Sequence, residues 1–177
     1  MSVSVWFGPF AIAACLLAVA GFAKAAQPES TAGALAAMQL PHRRWMVRLG
    51  GLVEAGLACA ALLTGDVVLA LLVAVSYLVF AAFVVAALRA GAPLASCGCL
   101  GKIDTPPHAA HVVMDLLAAS AAVGVAISGG SSIFHVFAEQ PWGGAPFAML
   151  VVIGVAAAAL VMSALPRTLV AARGGRA

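Results

Sequence analysis

Five long apolar stretches separated by short polar breaks set out the chain. They run at about Val3–Ala23, Trp45–Leu63, Val67–Leu88, Ala109–Ser128 and Ala145–Leu165. Each has about the 20 residues that a helix rising 1.5 Å per residue needs to cross the hydrocarbon of a bilayer. In hydrocarbon a single segment satisfies its own backbone only as a helix, so the pattern predicts five transmembrane helices. Several of the stretches are rich in Ala and Gly, which lets helix backbones approach closely in a bundle. Thr64-Gly65-Asp66 is too short for anything but a tight turn, so the second and third spans are expected to form a helical hairpin.

The polar breaks add detail. Gln27–Pro41 contains a helix-forming stretch, Thr31–Gln39, too polar to span and expected to lie in the interface. Ile133–Trp142 carries Phe134, Phe137 and Trp142, which read as interfacial anchors. Residues 89–108 form a loop containing Cys97 and Cys99. Ala23-Lys24-Ala25 resembles a signal-peptide cleavage box, but no Lys or Arg precedes the apolar run. The first stretch is therefore expected to remain as a helix.

Composition agrees with this plan. The 177 residues are 64% hydrophobic and 8% charged, against about 25% charged in a water-soluble domain. The expectation is a single all-α integral membrane domain over residues 1–177, a bundle of five transmembrane helices. Nucleic acid is not an expected partner, because aromatic residues are sparse and no basic stripe exists. Lys24, Arg43, Arg44 and Arg48 lie between the first two spans. Arg89 and Lys102 lie in the cysteine loop, and Arg167, Arg173 and Arg176 follow the fifth span. All nine fall on one side, and none falls on the side holding Met1–Val5, Asp66 and Ser128–Gly144. The positive-inside rule then puts the amino terminus outside a cytoplasmic membrane, with the carboxyl terminus and the cysteine loop on the cytoplasmic face.

Candidate chemistry concentrates in Ser96-Cys97-Gly98-Cys99-Leu100-Gly101-Lys102. A Cys-x-Cys bridge closes a small, strained ring, and strained exposed disulfides are the exchangeable kind. Lys102 favours the thiolate, the form that attacks a disulfide. Thiol–disulfide exchange through Cys97 and Cys99 is the leading reading. A metal site is the alternative: His108, His111 and Asp115 share a helix face just after the two thiols, although the spacing differs from common zinc patterns. Thr105 also reads as a helix cap ahead of Pro106-Pro107, which would leave His108 and His111 as interfacial residues. A third option is a non-catalytic subunit of a membrane complex.

Glu54 and Asp115 are acids within spans, and such groups are functional suspects. Both fall roughly 9 Å below the same membrane face at 1.5 Å per residue. They are expected beneath the cysteine loop, as proton acceptors for thiol chemistry or as hydrogen-bond partners holding helices, with Arg48 a candidate partner for Glu54. Cys15 and Cys59 fall near mid-membrane, about 14–16 Å from that face. Their depths match, and free cysteine is also a common apolar filler.

Taken together, Gly21-Phe22-Ala23-Lys24, the run Arg48–Leu57 with its acid Glu54, and Cys97-Gly98-Cys99-Leu100-Gly101 ahead of a helix resemble the methylamine utilisation protein MauE family, related to DoxX-like membrane proteins. The resemblance covers roughly residues 5–128. It implies a four-helix core to which the fifth span is added. It also implies a role in maturing methylamine dehydrogenase, whose small subunit is rich in disulfides, alongside a thioredoxin-like partner. Carried over, Cys97 and Cys99 are the redox pair and Glu54 the intramembrane acid, while Leu100 stands where Phe often follows the second cysteine. Maturation of an exported enzyme happens outside, whereas the charge pattern puts these thiols inside. An electron conduit through Cys15 and Cys59 would reconcile the two. A quinone or a bound metal ion remains open as a cofactor.

Overall fold

The computed structural model describes residues 4–90 and 107–174, and the side chains of these apart from 141 and 164–174. Cys97, Cys99 and Lys102 lie outside the described residues. Among the described residues seven α-helices follow in order: α1 (Phe7–Ala26), α2 (Pro28–Ala37), α3 (Arg44–Thr64), α4 (Val67–Ala90), α5 (Ala109–Ile127), α6 (Ile133–Glu139) and α7 (Ala145–Gly174). The described residues contain no strand. Helices α1, α3, α4, α5 and the segment Trp142–Ser163 leading into α7 are long and apolar enough to cross a membrane, so the protein is an all-α membrane protein with five candidate spans.

The polar breaks hold more helix than their composition suggests. The stretch expected at Thr31–Gln39 begins three residues earlier, because Pro28 occupies the first turn of α2, where its missing N–H costs nothing. On the other side, Ser132 caps α6 by accepting from the His135 N–H at 3.3 Å, making a short helix of a stretch expected only to anchor. Phe134 and Trp142 there are exposed, whereas Phe137 packs edge-on against Phe147 of α7 at 6.2 Å. The fifth helix continues beyond the expected Leu165 to Gly174.

The hairpin between α3 and α4 closes as the sequence implies. Gly65 adopts φ +68°, a left-handed conformation suited to glycine, and ends α3. Asp66 then accepts from the Val68 and Leu69 N–H groups at 2.7 and 3.1 Å, capping α4. Yet the closest partnerships are not the hairpin. They are α1 with α3 and α4 with α5, and these two pairs assemble into the core.

Small residues make the α1–α3 pairing possible. A Cβ placed on Gly21 would lie 2.5 Å from the Gly51 carbonyl oxygen, and one on Gly51 would lie 2.5 Å from that of Gly21. The helices therefore cross backbone to backbone, the geometry by which membrane helices gain dispersion energy without a hydrophobic drive. Beyond this point Ala14 of α1 and Ala58 and Ala61 of α3 are fully buried. The two pairs are joined where Tyr77 of α4 donates its hydroxyl to the Ala13 carbonyl at 2.6 Å. The end of the bundle holding Ala26, Arg44, Ala90 and Ala109 is called the Ala90 end below, and the opposite one the Gly65 end.

Gly21→Ala or Gly51→Ala should lower stability in detergent by about 1–3 kcal/mol through overpacking. Gly56, whose added Cβ meets nothing within 4 Å, is the control, and Gly56→Ala should be neutral or slightly stabilising. Thermal unfolding of the three variants checks this, and equal effects would remove the close crossing from the account.

Candidate functional site

The close crossing of α1 and α3 determines what happens one turn away. Side chains on a helix lean toward its amino terminus. Because α1 and α3 run in opposite directions, Lys24, three residues after Gly21, leans toward Glu54, three residues after Gly51. The Lys24 Nζ and a Glu54 carboxylate oxygen meet at 2.6 Å, with the lysine side chain buried and the glutamate mostly so. The ammonium also sits 4.1 Å from the centre of the Phe80 ring of α4, which adds a cation–π attraction. Glu54 thus pairs with Lys24, not with Arg48 as the sequence suggested.

Helix α5 brings the second acid to the same place. Asp115 is buried and lies within electrostatic range of Lys24. His111, one turn earlier on α5, is 2% exposed and lines the same cavity as Asp115. That cavity is about 230 Å³ and is walled mainly by α1, α4 and α5, with Tyr77 and Phe80 on its α4 side. A second cavity, about 310 Å³, is lined by Thr31, Ala34 and Leu35 of α2 together with Lys24 and Glu54. The Phe80 ring borders both. Lys24 thus pairs with Glu54 of α3 and lies within electrostatic range of Asp115 of α5.

His108 parts company with His111. Its Nδ1 accepts from the Ala110 N–H at 3.2 Å, so the imidazole itself is the cap of α5. The helix starts at Ala109, which leaves the proline pair ahead of the cap and takes that role from Thr105, a residue outside the described ones. Among the described residues, no group of three or more His, Cys, Asp or Glu side chains is arranged to hold a metal ion. The other two members of the alternative metal set, Cys97 and Cys99, fall outside the described residues.

Lys24 is the member of the site that the sequence pattern concealed. Counted by hydropathy it is a flanking charge at the end of a span, and only the three-residue spacing from Gly21, matched by Glu54 after Gly51, signals otherwise. Its burial also removes it from the loop charges that set orientation. Arg44 remains at the surface, 3.7 Å from Glu29 in a pair of little energetic weight.

Removing one partner of a buried ion pair strands the other charge, at a cost of about 3–5 kcal/mol. Lys24→Met should therefore destabilise strongly. The double variant Lys24→Met/Glu54→Gln should recover most of the loss, since a neutral pair of similar volume leaves no stranded charge. Melting curves of both in one detergent test the pairing, and a double variant no better than the single would contradict it.

A model of the family described as methylamine utilisation protein MauE matches residues 1–129 of the chain. No curated protein and no solved structure gives a significant match.

Proposed function

The chain belongs to the methylamine utilisation protein MauE family, and from that premise we propose that it is a membrane thiol–disulfide redox protein acting through Cys97 and Cys99. The partner is a thioredoxin-like protein. One thiolate attacks a sulfur of the partner's disulfide, giving a mixed disulfide. The second thiolate resolves it, so the partner leaves as a dithiol and Cys97–Cys99 becomes the disulfide; the reverse sequence oxidises the partner. In either direction each thiol must lose or regain a proton. Glu54 and Asp115 are the groups we assign to that task.

What carries the reading is the buried cluster of Lys24, Glu54 and Asp115 in a bundle whose buried residues are mostly apolar. Ionisable groups held inside spans are costly, and that cost is usually met by function. The cluster lies toward the Ala90 end, and the chain between Ala90 and Ala109 carries both loop cysteines. The family name supports a role in methylamine utilisation, with disulfide maturation of methylamine dehydrogenase as the proposed task. The distribution of Arg and Lys supports the orientation with this end cytoplasmic.

Differential alkylation tests the proposal. Cys97 and Cys99 should shift between bridged and reduced states as cells are made oxidising or reducing, and Cys99→Ser should trap a mixed disulfide through Cys97. Thiols that stay fully alkylatable in oxidising cells would overturn it. A membrane-impermeant reagent on intact cells should leave the reduced pair unmodified, and rapid modification would reverse the orientation.

A further inference from the structure

The geometry points to a second redox site, an intramembrane dithiol formed by Cys15 of α1 and Cys59 of α3 that is oxidised to an inter-helix disulfide by a lipid-soluble quinone. The register of the two helices brings these cysteines to one level. Gly21 sits level with Gly51 and Ala55, within 2.5 to 3.1 Å for an added Cβ. Six residues back along α1 is Cys15, and the corresponding step along antiparallel α3 from those two contacts leads to the interval 57–61, centred on Cys59. Both cysteines line one cavity of about 330 Å³, and each is within electrostatic range of the other.

The setting identifies the oxidant. Cys15 lies eight residues from the start of α1, and Cys59 five from the end of α3. At 1.5 Å per residue these are depths of about 12 and 8 Å from the Gly65 end, inside the span of hydrocarbon. Cys59 is exposed on the bundle surface that faces lipid, and Cys15 is half-buried behind it. The rest of the lining is apolar and includes Leu62, Leu63, Phe137, Phe147, Val151 and Val152. A water-soluble disulfide protein does not reach this depth, whereas a quinone partitions there and its ring suits a pocket edged by two phenylalanines. The reaction balances: two Sγ–H bonds break, one Sγ–Sγ bond forms, and two electrons and two protons pass to the quinone, giving a hydroquinone.

This site lies toward the Gly65 end, away from the helix ends Ala90 and Ala109 between which the loop cysteines fall in sequence, so it extends the proposed redox role while being read at different residues. The test uses the reduced full-length chain in lipid nanodiscs, treated with a short-chain ubiquinone analogue and then mapped by alkylation and mass spectrometry. A peptide cross-linked through Cys15 and Cys59 is expected. In the Cys97→Ser/Cys99→Ser chain, one hydroquinone should form per chain, and adding Cys59→Ser should abolish it while Cys15 stays alkylatable. Cys15 and Cys59 both fully alkylated after quinone treatment would overturn the proposal, whatever the loop cysteines do. A mixed disulfide trapped at Cys97 in the separate Cys99→Ser chain would leave the loop reading intact.

Discussion

The ion pair between Lys24 and Glu54 is the interaction on which the rest of the arrangement depends. It exists because two glycines let α1 and α3 touch backbone to backbone, and because antiparallel helices lean their side chains toward one another there. A lysine near the end of a span ordinarily extends to the headgroups. Here its ammonium turns inward, to a carboxylate at 2.6 Å and an aromatic face at 4.1 Å. Pairing two charges in hydrocarbon demands a rigid frame, and the alanine-lined seam beyond the glycines provides one.

From that pair the polar interior spreads across the two halves of the bundle. Phe80 of α4 carries the ammonium on its ring and borders two cavities, one lined by Glu54 and the other by Asp115 and His111. Lys24 thereby links an acid from the α1–α3 pair with one from the α4–α5 pair. A pair that were only a staple would need no second acid within range. Asp115 and His111 line a cavity that the same ring borders.

Much of the fold was legible in hydropathy alone, since five helices of spanning length fall close to the five apolar stretches. The tight turn at Gly65 was equally plain, because glycine followed by Asp leaves few alternatives. What hydropathy did not show was which helices pair: the α3–α4 turn fixes connection, whereas small-residue packing fixes contact, and the latter couples α1 to α3. For the same reason Glu54 was matched to Arg48, its neighbour in sequence, when the partner is Lys24 across the glycine crossing. His108 was obscured by Thr105 and the prolines, which carry the more familiar start signals, while the imidazole itself caps α5. Cys15 and Cys59 matched in depth, but only the helix register shows that they meet at one cavity.

The central claim is that the Lys24–Glu54 cluster serves the thiol chemistry as well as the fold. It is tested most directly by the rate at which Cys97 and Cys99 exchange with a disulfide of a thioredoxin-like protein, in the neutral double variant Lys24→Met/Glu54→Gln confirmed as folded. Loss of a positioned proton carrier should slow exchange by about 100-fold or more relative to the native chain. A folded double variant that exchanges at the native rate would contradict the claim and leave the pair a structural device alone.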